Sequence, residues 1–198
     1  MIIHKGEALA TVNPERFFID SQFMVKVFIR YGVQNSNYAL GLLSSYSVFF
    51  SWLGFFFKTA NRNLELCNRL AISKETISWL QYKFAVKMFD YFSGKWQEDP
   101  EYEYTYNLGI QKGAVWELTI YLLYTGFIFA EKGNITKSLF VASKLFEASD
   151  YFENSHARAQ GYRLKSYSYL KFRKLKDVII VTTEGIHYTG KTNHIAML

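Results

Sequence analysis

One cysteine and two prolines are all that this chain of 198 residues contains of either type. The lone Cys67 excludes an internal disulfide framework and a cysteine-based zinc cluster, and it suits a reducing compartment. With only Pro14 and Pro100 present, long stretches keep every backbone donor, which favours uninterrupted helices. Residues 1–10 include His4, Lys5 and Glu7, not a basic segment leading into an apolar core, so no signal peptide is expected. Charged residues make up 20% against 49% apolar, a balance that rules out a disordered chain and leaves a sizeable core. A cytoplasmic protein is the expectation.

What the chain has in quantity is aromatic side chains, at 19%, mostly Phe and Tyr. Large rings fill gaps between helices. The stretch Trp116–Phe152 shows how such helices are arranged. Its first half, Val115–Ala130, is apolar on nearly every side except at Glu117 and stops at Glu131-Lys132-Gly133-Asn134, where a cation and a glycine suit a helix C-terminus. A second helix follows, with Leu139, Ala142, Phe146 and Ser149 on one stripe and Lys137, Lys144, Glu147 and Asp150 facing water.

The same phase recurs along the chain. Gly54, Gly94 and Gly133, with Arg173 in the weaker fourth position, break paired helices at intervals of about forty residues, within the range of helical repeat arrays. Gly32, Ser73, Gly113 and Asn154 mark the return loops at the same step. Gly126, inside a helix, joins Gly54, Gly94 and Gly133 as a structural position. One hairpin cannot bury both apolar faces, so the pairs must stack. The expected fold is all-α, a right-handed α-solenoid of about four tetratricopeptide-like hairpins with an irregular C-terminal tail. Residues 1–12 form a loose lead-in, 13–176 the helical repeats and 177–198 the tail.

Helix starts are legible. Asn13-Pro14-Glu15 and Asp99-Pro100-Glu101 place proline where its missing donor is harmless, and Phe17, Met24, Phe28 and Tyr31 line the first helix up to Gly32. Ser73 can cap a third pair whose stripe is Ile77, Leu80, Phe84, Met88 and Tyr91. Ala60, Leu64, Cys67 and Ala71 share one face, so Cys67 reads as a small packed residue and not as a nucleophile.

Four features invite a functional reading. The uncharged run Tyr38–Phe57 is long enough for a bilayer, but four serines and two glycines favour a buried helix; a membrane-embedded protein remains an alternative. Arg158, Arg163, Lys165, Lys171, Arg173, Lys174 and Lys176 occur without an acid among them, and a solvated helix face is preferred to a nucleic-acid site. Glu98, Asp99, Glu101 and Glu103 cluster where a helix begins, where carboxylates answer the macrodipole before they suggest acid-base chemistry. Finally Gly185, Gly190, Lys191 and Thr192 complete the phosphate-loop pattern after the β-branched run Val178–Thr183. A nucleotide-binding protein is therefore the second alternative, although no parallel sheet precedes the loop and only six residues follow it.

Several spaced segments carry a family resemblance. Pro14-Glu15-Arg16-Phe17-Phe18, Phe28-Ile29-Arg30-Tyr31-Gly32, Tyr38-Ala39-Leu40, Gly54 with Ala60 and the Leu64–Leu70 helix, then Trp96, Gly109 and Glu131-Lys132-Gly133 cover most of residues 14–165. Together they resemble the tetratricopeptide-like helical region of large bacterial signalling proteins. In those proteins a serine/threonine kinase-like domain and a STAND-type ATPase domain precede this region, and a sensor histidine kinase or cyclase follows. The family's phosphate loop lies upstream of its repeats, so the resemblance lends nothing to Lys191. It implies a relay scaffold without catalytic residues, cofactor or metal of its own, whose partners are proteins, neighbouring domains or a second copy. Nucleic acid and membrane are not expected as partners.

Overall fold

Turn residues, more than helix interiors, set the pattern of this chain. The computed structural model describes residues 37–192 except 53, 55, 71 and 72, together with Arg16, Ile19, Asp20, Phe23 and Arg30. The lead-in 1–12, the Asn13-Pro14-Glu15 start, the stripe Phe17, Met24, Phe28 and Tyr31, and Gly32 and Ala71 lie outside the described residues. From 37 to 192 the described residues form eight α-helices and no strand: α1 (Asn37–Trp52), α2 (Phe57–Leu70), α3 (Ile77–Ser93), α4 (Tyr102–Lys112), α5 (Val115–Glu131), α6 (Ile135–Phe152), α7 (Ser155–Lys171) and α8 (Leu175–Thr192).

Gly54, Gly94, Gly133 and Arg173 hold φ of 76°, 72°, 78° and 56°, so each turn from an odd- to an even-numbered helix contains at least one left-handed residue, and the α3–α4 turn adds Trp96 at 44°. At three of these turns the next amide reaches back five residues. Lys95 N donates to Asp90 O at 3.0 Å, Asn134 N to Phe129 O at 2.9 Å and Lys174 N to Tyr169 O at 2.9 Å. These bonds satisfy carbonyls that the helix end leaves open. Arg173 makes the same turn with a side chain in place. At the starts, Asn134 accepts from Lys137 N at 3.0 Å and Asn154 from Ala157 N at 2.9 Å. The expected cap Ser73 gives way to Thr76, which accepts from Trp79 N at 3.2 Å. Ser73 instead accepts from Glu75 N at 3.2 Å, within the preceding turn.

The irregular tail expected from residue 177 is corrected by α8, which runs to Thr192. One side of α8 packs against α7, while Ile179 and Ile180 stay exposed. Val181 is buried, and the Gly185 backbone lies so close to Tyr162 that a Cβ there would stand 3.0 Å from the tyrosine Cβ. Packing on a neighbour outweighs a propensity difference of well under about 1 kcal/mol per residue.

Each helix packs on the next, and α1, α3, α5 and α7 also pack one on another in series. Consequently α3 and α5 are buried nearly all round, and the main core joins Phe84, Ala85, Met88 and Phe89 of α3 to Leu118, Tyr121, Leu122 and Phe127 of α5 and Leu145 of α6. Truncating a wholly buried leucine such as Leu145 in such a core costs roughly 2–5 kcal/mol. On α6 the buried face is Ser138, Val141, Ala142, Leu145, Ala148 and Ser149. Leu139 and Phe146 of the expected stripe are half-buried at its edge.

Gly126 is not a break but a point of close approach. A Cβ there would stand 2.2 Å from Leu164 Cδ2 on α7. Beside it Ser138 Oγ of α6 donates to the Gly126 carbonyl at 2.8 Å and meets Ser168 Oγ at 2.7 Å, tying three helices together. In α1, Ser44, Ser45, Ser47 and Ser51 all donate to carbonyls four residues back, at 2.7–3.0 Å. None of the helices among the described residues is long and apolar enough to cross a membrane.

Candidate functional site

The serial packing of α3, α5 and α7 brings together rings that are far apart in sequence. Phe127 is the hub: its ring centroid lies 5.5 Å from Tyr91, 5.8 Å from Tyr124 and 4.6 Å from Tyr167. Phe92 meets Tyr124 at 5.7 Å. Tyr91, Phe92, Tyr124 and Tyr167 are half-buried, so the band keeps one edge open to solvent. On α5 the exposed Trp116, then Ile120 and Tyr124, extend it at four-residue spacing, and Trp116 packs edge-on against Phe84 at 5.5 Å.

Charge borders this band. The Arg163 guanidinium lies over the Phe127 ring at 5.7 Å. Tyr91 Oη and Tyr167 Oη are 3.3 Å apart, Tyr167 Oη donates to Glu131, and Lys171 Nζ holds the other oxygen of Glu131 at 2.8 Å. Burial pushes the Tyr124 hydroxyl up to about 12, against the opposing pull of the Arg163 charge. Burial raises the Tyr167 hydroxyl likewise, so Tyr124 and Tyr167 are neutral near pH 7, and the band offers aromatic faces with hydroxyl donors, which is the equipment of a recognition surface.

The acidic cluster is consumed by lysines. Lys83, on α3, reaches Asp99 at 2.8 Å and Glu101 at 3.0 Å; Lys74 adds a contact to Glu101 at 2.7 Å. Lys132 and Lys137 clasp Glu98 at 2.9 and 3.0 Å. Asp99 further accepts from Tyr121 Oη and from Glu101 N, each at 2.9 Å. Burial alone would raise its carboxyl, yet Lys83, the Glu101 amide and Tyr121 together hold it below the usual aspartate value. The expected macrodipole role falls mainly to Glu103, in the first turn of α4. Asp99 and Glu101 instead bind lysines delivered by α3 and the turn before it.

Other candidates are dispersed by the fold. Gly185, Gly190, Lys191 and Thr192 lie within α8, so the segment is helix where a phosphate loop would need a loop, and Thr189 Oγ1 donates to the Gly185 carbonyl at 3.0 Å. Amides engaged in helical bonds are not free to cradle phosphate. Cys67 is fully buried, with a thiol pushed up to about 12 by burial, and Ser44 Oγ lies 3.7 Å from its sulfur. The basic run is split: Arg158 pairs with Asp150, Lys171 with Glu131, and Lys174 lies over Tyr169. Among the described residues no group of three or more His, Cys, Asp or Glu is placed to hold a metal ion.

Neither the aromatic band nor the lysine clasp was foreseen from sequence. A signal exists for part of the band: Phe127 and Tyr167, and Glu131 and Lys171, are each about forty residues apart, one repeat, and meet across α5 and α7. Comparison with protein-family models, curated proteins and solved structures yields no match.

Proposed function

We propose that this chain is a tetratricopeptide-like α-solenoid that works as a non-catalytic protein-interaction scaffold in the cytoplasm. The observation that carries the reading is the serial packing of α1, α3, α5 and α7, each also joined to the helix that follows it. Repeating that scheme makes a superhelix in which the odd-numbered helices share one face, and such faces bind extended partners. Here that face bears the open aromatic band from Trp116 to Tyr167, bordered by Arg163 and Lys171. Rings and an arginine are the side chains most enriched where binding energy concentrates.

By its resemblance, the scaffold is a segment of a larger signalling protein, relaying between a kinase-like and ATPase part and an output domain. The reading frame on either side of the segment tests that point directly. For the scaffold itself, a photo-crosslinking amino acid at Trp116 should trap one discrete protein partner in cells, whereas the same group at Tyr104, exposed on α4, should not. Equal labelling from both positions, or no discrete adduct from Trp116, would sink the scaffold reading.

A further inference from the structure

The packing leaves a cavity between α4 and α6. α4 packs on α3 and α5, and α6 on α5 and α7, and residues of α4, α5, α6 and the turn before α4 enclose a space of about 300 Å³. That is the lower end of the range of small-ligand sites, room for one long side chain and not for a helix. Its walls carry rings and charge. Tyr102 of α4, Phe129 of α5 and Phe140 of α6 line it, and Phe140 is 48% exposed. Glu98, Asp99 and Glu103 line it too, with Lys137 as the one ammonium among them.

The three carboxylates differ in their partners. Lys83 neutralises Asp99 at 2.8 Å, and Glu98 is held by Lys132 at 2.9 Å and Lys137 at 3.0 Å. Glu103 is exposed and makes no ion pair among the described residues. Lys137 shows what the cavity accepts. Its ammonium lies 5.2 Å from the Phe129 ring centroid while bonded to Glu98, so the chain seats a cation of its own on a ring with a carboxylate beside it. The Lys137 side chain is 50% exposed, and an ion pair so open to water holds its partners weakly. A cation from outside can therefore take the same ring and leave Lys137 in solvent. A guanidinium suits the place better than an ammonium, because its plane stacks on rings, it is less strongly hydrated, and it forks onto a carboxylate.

The geometry points to a seat for an arginine side chain of a protein partner, with its guanidinium against the rings of Phe129 and Phe140, its charge met by Glu103, and Lys137 as the internal competitor it displaces. The inference rests on the scaffold reading, since the arginine arrives on a partner chain. It adds a specificity contact between two even-numbered helices, near the opposite end of α5 from Trp116.

The test uses the 198-residue chain and capped tripeptides in which glycines flank arginine, lysine or citrulline, titrated by proton–nitrogen NMR. The arginine peptide should saturably shift the amides around Glu103, Phe129 and Phe140, the lysine peptide should bind more weakly, and citrulline, which keeps the shape without the charge, should not bind. Glu103→Gln should weaken arginine binding about threefold and Lys137→Met should tighten it about threefold, each with unchanged circular dichroism. A merely structural Lys137 would not give that tightening. Tyr151→Ser, at a 69% exposed site outside the cavity, should change nothing. Citrulline or lysine binding as tightly as arginine, or a Lys137→Met variant that binds no better than the parent, overturns the proposal. So does binding of agmatine without binding of the arginine peptide, which would make the cavity a site for a free guanidino compound. If no peptide binds while the Trp116 adduct persists, only this inference falls and the scaffold reading stands.

Discussion

Replacing Lys83 with methionine tests whether the acidic turn is structural. The Lys83 side chain is only 10% exposed and the Asp99 side chain 4%, with 2.8 Å between ammonium and carboxylate. Methionine keeps most of the volume and removes the charge, leaving a buried carboxylate with only Tyr121 Oη and the Glu101 amide as donors. Breaking one side of a buried ion pair costs roughly 3–5 kcal/mol, and the two remaining donors place this case near about 3 kcal/mol. For a domain of this size that is a fall in Tm of about 6–12 °C. Asp99→Asn on top of Lys83→Met removes the stranded charge and should recover more than half of the loss, as read by urea denaturation at pH 7. The sign of the pH dependence follows from Asp99. Its carboxyl titrates lower folded than unfolded, so its contribution is present above the ordinary aspartate value and is lost as pH falls through the depressed one. The gap between parent and Lys83→Met should therefore narrow towards pH 3, where Asp99 is increasingly protonated. A Lys83→Met protein as stable as the parent at pH 7, or one that Asp99→Asn does not rescue, would refute the assignment.

Three further outcomes follow from individual contacts. Gly126→Ala places a methyl 2.2 Å from Leu164 Cδ2 in a packed core; overpacking of about 1–3 kcal/mol against a helix-propensity gain of about 1 kcal/mol gives a net loss near 1 kcal/mol by urea denaturation, and a net gain would show that Leu164 simply moves aside. Arg173→Gly relieves a side chain held at φ 56° and should raise stability by up to about 1 kcal/mol in thermal melts, with a lower Tm counting against strain at this turn. The Cys67 thiol, fully buried and pushed up to about 12, should resist a disulfide reagent at pH 8 until the chain is unfolded, and rapid native labelling would contradict its packing.

The regular placement of turns was legible because each turn is a local matter. A left-handed residue must close each odd-to-even pair, and glycine at 54, 94 and 133 announces that requirement. Arg173 was readable only by its place in the period, since an arginine gives no conformational signal of its own. Cys67 was readable too, because spacings of four and then three residues from Ala60 through Leu64 put all three on one inward face.

Where sequence reading went astray, a neighbour decided the outcome. Val178–Thr183 carries β-branched residues, yet α7 supplies a surface for one side of the segment, where Val181 is buried, and the phosphate-loop string vanishes into the same helix. Ser73 is the better cap in isolation, yet α3 starts at Ile77 and Thr76 accepts from Trp79 N in its place. Helix spacing, turn positions and the burial of small residues were thus determined by the sequence alone, since each depends on neighbours a few residues away. The lysine partners of Glu98, Asp99 and Glu101 and the ring cluster around Phe127 were decided only by tertiary structure. Each depends on side chains between 16 and 40 residues apart in the chain, brought together by helix packing, and no local pattern encodes that.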